Sequence, residues 1–456
     1  MSDEKPDDEG STLARRLQRY LMTTAGIGGV ASRTAGRLLF GGALNDTANA
    51  TDVTRLLGRL HGPLMKIAQV AGSLPDVLPP MFAAEMAKLQ SDAPPMGPAF
   101  VRRRMAAELG PAWSSKFKSF EMTPVAAASL GQVHRAVATD GRALACKLQY
   151  PDMQSAVDAD IAPFQTILAL QRTAVRAFDT SEIAAEIGER VREELDYERE
   201  AGNMRLFGAM LRSEAKVSVP EPVAELSTRR LLTMTWLEGV PFLKAIDGAS
   251  QERRNAIAEA LYVAWLLPLC RYGVIHGDAH LGNYSVRTDG GINLFDFGCV
   301  RIYAADAIGG FVDLYHALQA NDKDGAVRAY ARWGFANADR DLVAKLDAWA
   351  HFVFGPVLDD RVRTIADGAN PFDPSSEQVW ALKRQLMVGS VVRPPRAFVF
   401  IARALVGLGA ALIHLKAELN WHRLFAGLIE DFSADAVAER QAAALATAGL
   451  SAPLHS

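Results

Sequence analysis

The sequence predicts an α+β chain in two lobes, a β-rich lobe followed by a mostly helical one, with helices ahead of both. Three observations carry this. Val133–Ala138 and Ala143–Leu148 are short apolar-rich runs on either side of Asp140-Gly141. That is a hairpin signal, because Asp-Gly suits a tight turn between strands. Leu56, Leu57, Leu60, Leu64, Met65 and Ile67 recur at helical steps in residues 51–109, and the Ala-rich chain after Arg301 reads as helical to its end. Between these regions, Ile275–Arg301 (IHGDAHLGNYSVRTDGGINLFDFGCVR) alternates apolar strand, polar loop, turn, apolar strand and polar loop.

Four segments follow in order. Residues 1–50 are a tail and a small-residue segment. MSDEKPDDEG is acidic and polar, the reverse of a secretory signal. Thr23–Gly42 is rich in Gly and Ala, which suits a linker or contact with a bilayer surface. Residues 51–115 form a helical extension broken by Pro75, Pro79, Pro94 and Pro95. Lys66 and Gln69, three apart, share one helical face there.

Residues 116–238 are the first lobe, with an Ala-rich loop and inserted helices. Its helical part spans residues 155–212, with Ile183, Ile187, Val191 and Leu195 on one stripe. Residues 216–245 return to strands, and Leu231–Thr235 leads into a connector between the lobes. Residues 239–456 are the helical second lobe, opening with an apolar helix over 251–274. Ala397–Leu415 is the longest apolar run. Arg403 interrupts it and His414 lies near its end, so a buried helix is expected rather than a membrane span.

Composition narrows the function classes. Apolar residues are 49% and charged residues 22% of 456, ordinary for a globular chain. Lys and Arg number 49 against 52 Asp and Glu, so no global field draws nucleic acid. Cys146, Cys270 and Cys299 are isolated, which argues against a disulfide framework or structural zinc and fits a reducing, cytoplasmic setting.

The chemistry concentrates in Ile275–Arg301. Phosphoryl transfer needs oxygen ligands for Mg²⁺ and a carboxylate that orients the attacking group. Asp278, Asn283 and the Asp296 of Asp-Phe-Gly supply that set. Their order and spacing resemble the catalytic and metal loops of the protein-kinase fold. Two further features agree. Ala126, Ala127, Ala128 and Ser129 stand where a kinase carries its Gly-rich phosphate loop, and Lys147 ends the second strand, where it carries its phosphate-contacting lysine. A helical carboxylate would hold Lys147 on the nucleotide: Glu200 first, Glu194 second. Adenine would meet backbone in the connector, around Thr235 and Leu237. His280 and Cys299, beside the loops, read as structural.

Together these motifs resemble the UbiB/AarF family of atypical kinase-like proteins, which support ubiquinone biosynthesis. The resemblance covers roughly residues 50–415 and rests on AAASLGQVH from Ala126, Lys147, ELDYEREAGN from Glu194, HGDAHLGN from His276 and Asp296-Phe297-Gly298. It implies a bilobal protein-kinase-like fold, ATP and Mg²⁺ as ligands, and ATP hydrolysis more than protein phosphorylation. It also implies a regulatory extension, Lys66 and Gln69 with Glu194 and Asp196, similar to a lid on the active site. Membrane lipid or an isoprenoid precursor, and enzymes of ubiquinone biosynthesis, are the implied partners, with the chain peripheral to a membrane. Oligomeric state stays open.

Two positions depart from the family pattern: Ala68 stands for the usual Gly and Leu281 for the usual Pro. No Ala-Pro-Glu segment follows Asp296, so the usual peptide-docking platform is missing. Ala126–Ala128 restrict φ and add methyl groups, which favours a different phosphate geometry. Two other functions compete. A small-molecule kinase of the aminoglycoside or choline type shares the His-Gly-Asp loop. A non-catalytic scaffold would bind nucleotide and lipid and present them to membrane enzymes.

Overall fold

A computed structural model describes residues 96–128, 130–150, 153, 192–335, 338–367 and 396–451. By Cα proximity the chain divides into two compact units. One is Met1–Pro94 with Asp152–Val175 and Asp179–Val191; the other is Pro95–Pro151 with Arg176–Phe178 and Arg192–Ser456. Met153 apart, the described residues belong to the second unit. Lys66, Gln69, the small-residue segment, most of the extension and the Ile183–Val191 part of the stripe lie outside the described residues.

The first lobe opens with α1, Pro98–Leu109, whose proline sits in the first turn where its missing N–H costs nothing. β1 (Phe117–Phe120) and β2 (Ala126–Ala128) both run antiparallel to β3 (Gly131–Ala138). β4 (Ala143–Gln149) pairs with the other edge of β3, and Gly141 turns the hairpin at φ +94°. β4 works on both faces. Leu144, Cys146 and Leu148 join a core with Val101, Met105, Trp113 and Phe117. Ala145 and Lys147, at the alternate positions, face the opposite way. There they meet α2, Tyr197–Met210, which starts at Asp196; that carboxylate accepts the N–H groups of Glu198 and Arg199.

β5 (Val217–Ser218) follows, and β6 (Leu231–Thr235) then closes the five-stranded sheet by pairing with β4. Where the sequence suggests strands throughout residues 216–245, the structure has only β5, β6 and β7 (Val240–Pro241) before a short helix, α3, Phe242–Ile246. Pro241 starts the turn of helix and Phe242 is buried against Tyr284, which decides the local conformation.

In the second lobe, α4 (Gln251–Tyr272) begins at Ser250, whose hydroxyl accepts the Arg253 N–H, and ends at Gly273 in the left-handed region. It delivers the chain to β8, Val274–His276. The sequence pattern shows two strands in Ile275–Arg301; the structure has four. β9 (Tyr284–Val286) and β10 (Ile292–Leu294) form a hairpin, flanked by β7 and by β5, the latter parallel. β11 (Val300–Ile302) returns antiparallel to β8.

Among the described residues six helices complete the lobe: α5 (Ala305–Gln319), α6 (Lys323–Arg332), α7 (Arg340–Leu358), α8 (Arg396–Leu415), α9 (Trp421–Ile429) and α10 (Ala434–Ala448). α8 is the apolar run of the sequence. Ile401, Ala404, Leu408, Ala411, Leu412 and Leu415 bury one of its faces, at the spacing of a helix packed into a core. Among the described residues no helix is long and apolar enough to cross a membrane.

Candidate active site

Four elements supply the polar groups of the site: β4, α2, the loop after β8 and the loop after β10. Lys147 comes from the lower face of β4 and is buried. Its ammonium donates to both carboxylate oxygens of Glu200, at 2.7 and 2.8 Å. Asp296 Oδ1 lies 3.8 Å from the same nitrogen, and the Tyr197 ring centroid 5.1 Å from it. Of the two carboxylates expected for this lysine, the structure pairs it with Glu200. Burial works to lower the pKa of Lys147, but the charges of Asp296 and Glu200 outweigh it and push it up, so the lysine is charged. Burial lifts Glu200 to about 6, against the pull of Lys147. The pair is therefore ionised at neutral pH.

α2 carries more than Glu200. Glu200, Asn203 and Phe207 lie at i, i+3 and i+7, one face of the helix. Asn203 Nδ2 donates to the Phe297 carbonyl at 2.9 Å. Phe207 packs on Phe297 with ring centroids 5.2 Å apart, and both meet His276 at 5.8 and 5.6 Å. One helix face thus positions both the lysine and the Asp-Phe-Gly loop. Asp296 itself sits at φ +58°, a left-handed backbone that Asp tolerates better than most residues. Its Oδ1 accepts the Gly298 N–H at 3.3 Å.

The loop after β8 is folded by its own polar groups. Asn283 Nδ2 donates to Asp278 twice, to Oδ2 at 3.1 Å and to the carbonyl at 3.2 Å. Asp278 Oδ1 accepts the His280 N–H at 3.3 Å. His276 Nδ1 accepts the Asp278 N–H at 3.3 Å, and burial lowers its pKa, so the ring stays neutral. His280 Nδ1 takes the Gly282 N–H at 3.1 Å, and the Cys299 carbonyl takes the Gly277 N–H at 2.5 Å. Behind this loop α8 comes close: a Cβ added at Gly407 would lie 2.7 Å from Ala279 Cβ.

The Ala-rich segment is a strand rather than a loop over phosphates. β2 registers Ala126 with Val133, Ala127 with Gln132 and Ala128 with Gly131. Ser129 lies outside the described residues. Gly131 is the position that needs its glycine: a Cβ there would fall 2.4 Å from the Leu148 carbonyl oxygen and 3.0 Å from the Tyr197 hydroxyl. The later part of the motif is structural. Buried Gln132 accepts the Met96 N–H at 2.8 Å and meets His134 Nε2 at 2.8 Å, and His134 Nδ1 lies 2.8 Å from the Glu121 carbonyl.

In the connector, the Thr235 N–H donates to the Glu221 carbonyl at 2.9 Å and its hydroxyl accepts the Glu221 N–H at 2.9 Å. The Trp236 N–H goes to the Ala143 carbonyl. These groups serve the lobe itself, which leaves the backbone from Leu237 onward. Arg135 stacks over Trp236 at 4.7 Å and reaches Glu238 at 3.0 Å. Asp196 serves as the cap of α2 and lies 3.6 Å from Arg229. Glu194 sits beside the Asp-Phe-Gly loop, its Cγ 3.5 Å from where a Gly298 Cβ would stand. Sequence reasoning gave no role to Tyr197, Asn203, Phe207 or His276, although Tyr197 and Asn203 lie within ELDYEREAGN and His276 opens HGDAHLGN. For Phe207 the only sequence signal was its helical spacing from Glu200.

A family model described as the ABC1 atypical kinase-like domain matches residues 88–330. The mitochondrial atypical kinase COQ8 of Saccharomyces cerevisiae is 30% identical over 291 residues, 63% of this chain and 58% of that protein. The mitochondrial atypical kinase COQ8B of Danio rerio is 28% identical over 433 residues, 91% of this chain and 68% of that protein. The chain thus spans little more than half the length of the yeast relative. Among solved structures, the Mycobacterium tuberculosis Rv3197–erythromycin complex matches with a TM-score of 0.59 at 27% identity, over 83% of this chain and 95% of that one. The fold is bilobal and kinase-like, as the motifs implied. The family match runs from ahead of α1 into α6 and takes in Lys147, Glu200, Asp278, Asn283 and Asp296 together. The chain belongs to the ABC1 atypical kinase-like family, the UbiB-type group that its separated motifs resemble.

Proposed function

We propose that the chain binds a magnesium–ATP complex around Lys147, Asp278, Asn283 and Asp296, and hydrolyses it or passes on its terminal phosphoryl group. The observation that carries this is the charged Lys147, held by Glu200, with the Asp296 carboxylate 3.8 Å away. A fixed cation and a metal-ligating carboxylate side by side are what a polyphosphate with its metal requires.

The residues fit Mg²⁺. Asp296 offers carboxylate oxygen, and Asn283, having given its amide N–H groups to Asp278, keeps its amide oxygen. Among the described residues no group of three or more His, Cys, Asp or Glu side chains is set to hold a metal alone. That suits Mg²⁺, which takes one or two protein oxygens and completes its shell from phosphate and water. When bound, the ion would neutralise charge on the phosphate oxygens. Asp278, fixed by Asn283 and the His280 N–H, orients the attacking water or hydroxyl. Adenine meets backbone from Leu237 on.

The role proposed for this reaction is support of ubiquinone biosynthesis, which the kinship with the COQ8 atypical kinases favours, or of membrane lipid homeostasis. The association proposed is with a membrane surface and with lipid or isoprenoid ligands there. The test is ATP turnover by the full chain, with and without anionic liposomes, beside Asp278→Asn. Magnesium-dependent turnover lost in the variant is expected. Equal turnover by both proteins would remove Asp278 from the chemistry.

A further inference from the structure

Asn293 is a polar residue inside an apolar strand. It stands between Ile292 and Leu294 at the centre of β10, and all three are buried. A buried amide is costly unless it makes its hydrogen bonds. Its Nδ2 donates to Ser285 Oγ at 2.9 Å and to the Glu238 carbonyl at 3.0 Å. Ser285 is its register partner on β9. Glu238 lies 55 residues away, in the connector between the lobes. Asn293 Oδ1, by contrast, is buried and has no hydrogen-bond partner among the described residues. The position thus carries an unpaired oxygen that a leucine would not bring. What the amide supplies in return is its hold on the Glu238 carbonyl.

The connector is shaped to receive this bond. A Cβ at Gly239 would lie 2.4 Å from Ser285 Oγ and 2.8 Å from Asn293 Nδ2, so the chain there packs directly on the hairpin of β9 and β10. β7 continues the contact, pairing Val240 with Val286 and Pro241 with Ser285. On the other side, the Trp236 N–H is tied to the Ala143 carbonyl of the first lobe. Leu237, whose backbone is left for adenine, stands between these two anchors. β10 also leads to Asp296, three residues past Asn293. One strand therefore holds the connector and delivers the Asp-Phe-Gly loop.

We propose that Asn293 is a positioning residue for the nucleotide base: its amide fixes the Glu238 carbonyl and so sets the Leu237 backbone against which the base is held. The buried amide does not touch the ligand; it acts through the connector. The inference rests on the proposed binding of magnesium–ATP with adenine on that backbone. Lys147 and Asp296 bear on the phosphates, whereas loss of the Asn293 amide weakens recognition of the base and leaves the phosphate contacts in place.

The test compares two ligands of the full chain by calorimetry in magnesium: ATP, and tripolyphosphate, which offers phosphates without a base. Asn293→Leu keeps the bulk of the side chain and removes both donor bonds. ATP affinity should fall about fivefold, the effect of losing one hydrogen bond, while tripolyphosphate affinity stays at its wild-type value. Gly239→Ala pushes the connector off the hairpin from its own side. It should give the same base-selective loss, and it serves where Asn293→Leu fails to fold. A general loosening of the lobe would lower both affinities together. That equal loss, or wild-type ATP affinity in a folded variant, would overturn the assignment of Asn293. Absence of ATP binding by the wild-type chain would remove the proposed function, and this inference with it.

Discussion

Asn203 and Phe297, 94 residues apart in sequence, are joined by a 2.9 Å hydrogen bond from side-chain amide to backbone carbonyl. Both groups are buried, and three residues before Asn203 on the same helix face Glu200 holds Lys147. A single face of α2 therefore sets the distance between the lysine and the Asp-Phe-Gly loop. Asn203→Ala strands the Phe297 carbonyl without a partner, which costs about 1–3 kcal/mol. Denaturant unfolding should show a lower midpoint at unchanged slope, and nucleotide affinity should fall with it. An unchanged midpoint would show that the bond contributes little.

Acid should act on the site through Glu200. Its ordinary value is 4.5 and burial raises it to about 6 in the folded chain. A raised carboxyl stabilises the fold below 4.5, and that contribution is lost as pH rises through about 6, because the folded form holds the proton more tightly. Lys147, also raised, keeps its stabilising contribution throughout this range and loses it only in strong base. Nucleotide binding runs the other way from stability. Protonated Glu200 no longer grips Lys147 as an ion pair, so ATP affinity should rise between pH 5 and pH 7. Glu200→Gln should flatten that rise in a calorimetric titration; the same pH profile in the variant would assign the effect elsewhere.

Asp296→Asn separates metal chemistry from folding. Asn tolerates the left-handed backbone at φ +58° about as well as Asp, so the loop keeps its shape. The lost charge removes the proposed metal ligand and one neighbour of Lys147. The expectation is a melting temperature within a few degrees of wild type and loss of most magnesium-dependent nucleotide binding. Full ATP turnover by this variant would contradict the role given to Asp296.

At Gly131 the opposing atom is backbone. A methyl would lie 2.4 Å from the Leu148 carbonyl oxygen, which cannot rotate away. Gly131→Ala should part β3 from β4 locally, at a cost of about 1–3 kcal/mol, and move Lys147, two pairs along the same ladder. Thermal unfolding and ATP affinity should both drop. Wild-type values for both would mean that the strands shift at no cost.

What the sequence made readable depended on range. The hairpin of β3 and β4, the bounds of β6 and the long helix α4 follow from turn chemistry and periodicity, which are local. The kinase-like loops were readable because their spacing is itself the signal. β9 and β11 were not, since Tyr284-Ser285-Val286 and Val300-Arg301-Ile302 each carry a polar residue at the centre of a run beside a polar loop, and the partner strand decides the conformation. β2 was missed because three alanines carry no strand preference; the pairing with β3 decides it. Tyr197, Asn203 and His276 stand in motifs that the sequence displays, but their roles were not legible because they come from contacts with distant parts of the chain. The ladder of Gln132 and His134 escaped for the same reason, since its ends are Met96 and Glu121.

The close approach of α8 to Ala279 gives that helix a second duty. With a methyl at residue 407 already 2.7 Å from Ala279 Cβ, there is no slack between the helix and the chain that carries Asp278. The most apolar helix of the lobe is thus the anvil on which the aspartate rests. Any bulk introduced at position 407 would be paid out one residue from the carboxylate, without a single polar group having been touched.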